Sequence, residues 1–304
     1  MTRAARGADR RRTAKPPPDR ATSRFTTSDG TALHVVDTGP RDAGTTVVLL
    51  HGWTLDHSSW NRVADALPGR VLRYDHRGHG ASAPAAPGTA TIERLARDLA
   101  ELLADRVPTG RVVLAGHSMG GMTIMALAET HPELLDRVAG VALVATSCGG
   151  LAQISLGLPE RVAALVARGE KVVNRRIAAL RGPVLLRRPR LVRPALRWLL
   201  FGARPDRADV TATAETVARC HPAALVAFRE SLSEHERREA LAALAPVPSV
   251  VLAGGADRLT PVPHAAVIAD ELPRTRLVVL PGAGHMLPLE RPAEVATRIA
   301  RLLR

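Results

Sequence analysis

The sequence predicts an α/β fold with a mostly parallel central sheet and helices on both faces. Two observations carry that reading: apolar runs of strand length recur along the chain, and helical periods lie between several of them. A third shapes it, because the alternation stops for a long stretch before resuming near the C-terminus.

Residues 1–24 are basic, Pro-rich and without periodicity, the composition of a disordered tail. Short β-type runs follow at Phe25 to Thr27 and Leu33 to Asp37, on either side of the Asp29-Gly30 turn signal, which reads as a hairpin. TTVVLL at Thr45 to Leu50 is continuously apolar, as a strand buried on both faces must be. RVLRY (Arg70 to Tyr74), RVVLA (Arg111 to Ala115), VAGVALV (Val138 to Val144), SVVL (Ser249 to Leu252) and RLVVL (Arg276 to Leu280) repeat the theme. Helical patterns run over Ile92 to Asp105, Met119 to Glu129 and Ala265 to Leu272. Between about Cys148 and Ala245 there is no convincing strand and several helical periods, so a helical insert follows the sixth strand.

Composition removes several function classes. The formal charge of +13 invites a nucleic-acid reading, but residues 1–24 hold eight Lys/Arg against two acids and residues 151–245 seventeen against nine, while the remainder has seventeen against eighteen. The core is therefore near neutral, the excess sitting in the tail and the insert. Aromatics at 2% leave little for base stacking, so no nucleic-acid partner is expected. Cys148 and Cys220 are too few for a disulfide scaffold and read as free thiols of a reducing cytoplasm. The Arg10 to Arg12 run has no apolar segment behind it, and no stretch approaches the ~20 apolar residues of a spanning helix. Export and a transmembrane segment are not expected.

The chemistry concentrates at strand ends. Gly116-His117-Ser118-Met119-Gly120 sits between the RVVLA strand and a helical pattern, the setting a G-x-S-x-G nucleophile elbow requires. Small residues two positions either side of the serine leave room for a sharp turn, and the helix N-terminus beyond adds positive potential beside a developing oxyanion. A serine hydroxyl attacks only when a base takes its proton and an acid holds that base. Candidates follow at two later strand ends: Asp257 in Gly254-Gly255-Ala256-Asp257 and His285 in Gly282-Ala283-Gly284-His285. Taken singly, Asp257 is also an ordinary turn residue and His285 an ordinary loop histidine; taken together, in the order Ser, Asp, His at carboxyl ends of strands, they read as a catalytic set. His51-Gly52-Trp53 closes the TTVVLL strand, and the backbone N–H groups of Trp53 and Met119 are the expected oxyanion donors, with His51 holding its loop by hydrogen bonds. Asp75 and Arg77 are expected to order loops. The histidines His51, His57, His76 and His79 lack a metal-site arrangement, so neither a metal nor another cofactor is expected.

HGW (His51 to Trp53), DHRGHGAS (Asp75 to Ser82), GHSMGG (Gly116 to Gly121), GGADRLTP (Gly254 to Pro261) and GAGHMLPLERP (Gly282 to Pro292) together resemble the successive motifs of the α/β-hydrolase superfamily, most closely its capped serine esterase, lipase and cofactor-free haloperoxidase-like branch. The resemblance implies an α/β-hydrolase core at residues 25–147 and 246–304, a helical cap at 148–245, and Ser118, Asp257 and His285 as a triad cleaving a carboxylic ester. Lactonase, thioesterase, amidase and perhydrolase chemistry use the same triad, and a non-catalytic receptor on the same fold is the alternative of another class. Dehalogenases and epoxide hydrolases resembling this fold use an aspartate nucleophile, and this chain has Ser118.

The insert carries Leu185, Leu186, Leu191, Leu196, Trp198, Leu199, Leu200 and Phe201 interleaved with Arg187, Arg188, Arg190, Arg193 and Arg197. The expected arrangement is a cap helix with its apolar face on the core and arginines in water, above a small-molecule ester with an apolar acyl group. Contact with an anionic membrane surface is the alternative that Pro189 and Pro194 oppose, since they interrupt a long interfacial helix.

Overall fold

The computed structural model describes residues 20–151 and 188–304. Eight strands form one sheet: β1 (Arg20–Thr26), β2 (Ala32–Thr38), β3 (Thr45–Leu50), β4 (Arg70–Tyr74), β5 (Arg111–His117), β6 (Val138–Val144), β7 (Ser249–Gly254) and β8 (Thr275–Leu280), in the order β1-β2-β4-β3-β5-β6-β7-β8. The β1/β2 hairpin and the β2/β4 pair are antiparallel, and every other pair is parallel.

The predicted strands are present, β3, β4 and β6 with the expected bounds. The first differs: the β-type pattern begins at Phe25, whereas β1 starts at Arg20, so part of the expected tail is strand. Its polar Arg-Ala-Thr-Ser-Arg run suits an edge strand, where only one neighbour needs pairing. Residues 1–19 of that tail, and residues 152–187 of the insert with Leu185, Leu186 and Arg187, lie outside the described residues.

Because side chains alternate along a strand, each central strand feeds two cores. Val48 and Leu50 join one with Leu95 and Leu99 of α2 (Ile92–Arg106) and Met122 and Ile124 of α3 (Met119–Thr130). Val47 and Leu49 join the other with Trp60, with Val63 of α1 (Asn61–Ala66), and with Val295 and Ile299 of a helix near the C-terminus (Pro292–Ala300). Each fully buried leucine contributes about 1.5–3 kcal/mol, which explains why the unbroken apolar runs became the central strands.

Between β6 and β7 every described element is helical: α4 (Pro189–Leu200), α5 (Arg207–Arg219), α6 (Pro222–Ser233) and the short α7 (Leu241–Leu244). Pro194 lies inside α4 and does not end it, contrary to the expected interruption; Pro189 stands in the first turn, where a missing N–H costs little. The helix α8 (Val262–Glu271) connects β7 to β8.

Candidate active site

The carboxyl ends of β3, β5, β7 and β8 carry the expected site residues, as an open parallel sheet requires. Ser118 follows β5 and caps α3 with φ 51° and ψ −116°, a left-handed backbone that costs a non-glycine residue of order 1–3 kcal/mol unless its surroundings hold it. They do: its N–H donates to the Val144 carbonyl at 2.9 Å, and its own carbonyl accepts the Gly121 N–H at 2.9 Å and the Thr146 hydroxyl at 2.8 Å. The flanking glycines are steric necessities. A Cβ on Gly116 would stand 2.4 Å from the Gly120 carbonyl carbon, and one on Gly120 would stand 2.4 Å from the Leu50 carbonyl oxygen.

Asp257, three residues beyond the end of β7 at Gly254, is buried, and its carboxylate is fully engaged. One oxygen accepts the backbone N–H groups of Leu259 (2.8 Å) and Thr260 (3.0 Å); the other accepts the Thr260 hydroxyl (2.9 Å) and His285 Nδ1 (2.8 Å). Burial works against ionisation here, yet the neighbouring His285 and the Thr260 donors outweigh it, so the carboxyl is held below its ordinary range. His285 is buried with its Nδ1 committed to Asp257, which leaves Nε2 as the nitrogen able to accept a proton.

His117 ties this pair to the elbow. Its Nε2 bonds the His285 carbonyl at 2.9 Å, and the two rings lie 5.0 Å apart. Burial, with the adjacent His285 adding to it, pushes His117 down to about 3, so its ring is neutral and donates from Nε2 at neutral pH.

The turn after β3 closes over the same point: a Cβ on Gly52 would lie 3.3 Å from Ser118 Cβ and 2.9 Å from His117 Nδ1. Trp53 is half-buried in this turn, Thr54 takes a positive φ of 64°, and the Leu55 N–H closes back on the Gly52 carbonyl at 3.2 Å. Met119 opens α3, where the first N–H groups of a helix have no partner within the helix. His51 is buried, contacts the Gly52 carbonyl through Nδ1 at 2.7 Å and accepts the His76 N–H through Nε2 at 2.9 Å, so both nitrogens hold loops.

Asp75 and Arg77 also order loops. Asp75 accepts from the backbone and ring of His57 and from the Ala81 N–H, and its pKa is lowered to about 2, burial opposing and the His57 hydrogen bond prevailing. Arg77, fully buried, forks onto Asp98 of α2 at 2.6 and 2.7 Å and reaches Asp29 of the hairpin at 2.8 Å. Among the described residues, His34, His57 and Asp75 place ligand-type atoms within 4.8 Å of one another. His57 is thus the one member of the sequence-level histidine set in that group, and the Asp75 oxygens are already occupied by the loop they order.

Several supporting residues carried no sequence signal. The insert reaches the site through Leu200, whose carbonyl accepts the N–H groups of His285 (2.8 Å) and Met286 (3.2 Å). Glu290 accepts from Gly202 N–H at 2.8 Å and Gly284 N–H at 3.0 Å, clamping the end of α4 to the His285 loop. Arg258 donates to the Trp198 carbonyl at 2.7 Å and lies 5.1 Å over the Trp198 ring. Thr260 alone had a readable cue, standing three residues after Asp257 in a turn.

A family model described as alpha/beta hydrolase family matches residues 47–298. The dihydrolipoyllysine-residue acetyltransferase component of the acetoin cleaving system of Pseudomonas putida is 30% identical over 86% of this chain, which spans only 64% of that protein's length. A pimeloyl-[acyl-carrier protein] methyl ester esterase of Nitrosomonas europaea is 29% identical over 86% of this chain and 96% of its own. Among solved structures, a thermophilic esterase from Thermogutta terrifontis superposes with a TM-score of 0.73 at 30% identity, covering 94% of this chain and 98% of that one. With the match spanning the sheet from β3 through the C-terminal helix, the chain belongs to the alpha/beta hydrolase family.

Proposed function

We propose that this protein is a serine hydrolase that cleaves carboxylic esters through an acyl-enzyme on Ser118. The observation that carries the reading is the His285–Asp257 bond at 2.8 Å, with Asp257 held in its anionic form, on a loop that His117, the neighbour of the strained Ser118, bonds at the His285 carbonyl. In the forward half-reaction His285 Nε2 accepts the Ser118 proton as Oγ attacks the ester carbonyl. The N–H groups of Trp53 and Met119 hold the oxyanion, and the alcohol leaves with the proton from His285. Water then attacks the acyl carbonyl by the same route in reverse, freeing the acid and Ser118.

The substrate reading is an ester with an apolar acyl group. Leu55, Leu200, Phe201 and Met286 form an apolar cluster directly beside the His285 loop, joined by Leu196, Leu199 and Leu259. The similarity to the Nitrosomonas methyl ester esterase and the Thermogutta esterase supports ester chemistry. On this reading residues 148–245 are a cap over the site, and the free, buried Cys148 and Cys220 suit a cytoplasmic protein.

A p-nitrophenyl ester series from acetate to decanoate tests the proposal. Hydrolysis is expected, with Ser118→Ala reducing turnover by several orders of magnitude; undiminished hydrolysis by that variant overturns it. Lactone, thioester, amide and peroxide substrates in the same panel separate the related chemistries.

A further inference from the structure

Of the large apolar side chains that stand exposed among the described residues, two share one face of α4: Leu191 at 64% and Trp198 at 47%. They are seven residues apart, two turns of helix, and Pro194 and Ala195, also exposed, fill the turn between them. Arg190, Arg193 and Arg197 run along one border of this stripe at three- and four-residue spacing, and Arg188 stands at the N-cap of the helix; all four are exposed. The opposite face is spent on the protein, with Leu196, Leu199 and Leu200 packed on Leu55 and Met286.

Among the described residues the charge around the stripe is uncompensated. Residues 188–207 hold six arginines and one acid, Asp206, which caps the following helix by accepting the Ala208 N–H at 2.8 Å. Asp209, the next acid, pairs with Arg62. Among the described residues none of Arg188, Arg190, Arg193 and Arg197 forms an ion pair with a carboxylate; Arg193 reaches only the Thr211 hydroxyl at 3.4 Å.

An exposed tryptophan and leucine bordered by arginines match the headgroup layer of an anionic bilayer: the indole sits at the interface, the leucine enters the acyl boundary, and guanidinium groups meet lipid phosphates. A bilayer meets both features at once, the apolar stripe through its acyl boundary and the arginine border through its phosphates. We propose that α4 docks the protein on an anionic lipid surface. Leu200, the last residue of that helix, holds the His285 and Met286 N–H groups, so a bilayer under α4 lies next to the site. Resting on the ester-hydrolase reading, this assigns the substrate class as an ester borne in the lipid layer.

The test is co-sedimentation of the full-length protein with vesicles of phosphatidylcholine alone or with about one-third phosphatidylglycerol, at ~0.1 M and ~0.5 M NaCl. Binding at least tenfold stronger to the anionic vesicles, lost at high salt, is expected. Arg190→Glu/Arg193→Glu/Arg197→Glu is expected to lower it at least tenfold while hydrolysis of a soluble short-chain ester stays within twofold. Ser118→Ala is expected to bind vesicles like the parent. Equal binding to both vesicle types, undiminished binding by the triple variant, or retention on an immobilised acidic protein in place of vesicles would each overturn the proposal. Failure of vesicle binding with soluble-ester hydrolysis intact refutes the docking alone; vesicle binding without any ester hydrolysis refutes the catalytic reading alone.

Discussion

Lowering the pH from 7 to 5 should strip this fold of much of its stability. His79, His117 and His235 are each buried, and burial first of all pushes them down to about 3, about 3 and about 4 from an ordinary 6.5. Neighbours add to it: His51 beside His79, His285 beside His117 and Arg237 beside His235. A histidine with a depressed pKa folds in its neutral form, so its contribution is complete above the unfolded value. As pH falls below about 6.5 the unfolded chain takes up the proton and the folded one does not, until about 3 or 4 is reached. At ~1.36 kcal/mol per pH unit, each costs about 2 kcal/mol at pH 5, or about 6 kcal/mol together. That is comparable with the whole stability of many domains. Asp75, lowered to about 2, acts in a different window, losing its contribution only as pH falls through the region below about 4. Urea unfolding followed by tryptophan fluorescence at pH 7, 6 and 5 should show the midpoint falling at each step. His235→Gln, which can still donate to the Ser147 carbonyl that His235 Nε2 contacts at 3.1 Å, should flatten the slope by about one-third. A free energy of unfolding that changes by less than about 1 kcal/mol between pH 7 and 5 would refute the reasoning.

Gly120→Ala places a methyl group 2.4 Å from the Leu50 carbonyl oxygen; a loss of about 2–3 kcal/mol in thermal unfolding and of nearly all hydrolysis is expected. Asp257→Asn keeps the side-chain shape but loses the anion that orients His285, and should lower kcat about 10³- to 10⁴-fold with melting temperature changed by only a few degrees. Arg258→Ala removes the hydrogen bond and ring contact to Trp198, so KM for long-chain esters should rise several-fold while kcat for acetate esters holds. Glu290→Ala leaves the Gly202 and Gly284 N–H groups without their acceptor and should cost about 1–3 kcal/mol of stability, read by urea unfolding.

The sheet, and the strand ends at which Ser118, Asp257 and His285 stand, were legible because their causes are local. A strand covered on both faces must be apolar throughout, and β3 has no polar side chain after Thr46. The elbow needs glycines two residues from Ser118, and the backbone at φ 51° with no space beside Gly116 and Gly120 explains the spacing. The residues that hold the site together answer to contacts far away in sequence. Glu290 bonds Gly202 across 88 positions and His117 bonds His285 across 168, and no periodicity encodes either. Pro194 does not end α4: the proline rule weighs only a lost N–H and a local clash, whereas packing of Leu196, Leu199 and Leu200 on the apolar cluster carries the helix past it. At β1 a polar edge strand gave no apolar signal, and its pairing from Arg20↔Thr38 to Thr26↔Ala32 depends on β2.

Covalent labelling with a fluorophosphonate, read by mass spectrometry of the intact protein and its peptides, tests the central claim most directly. The account predicts one adduct per chain, on Ser118, absent in Ser118→Ala and slowed at least a hundredfold in His285→Ala. An adduct on another residue, or equal labelling of the His285→Ala variant, would contradict it.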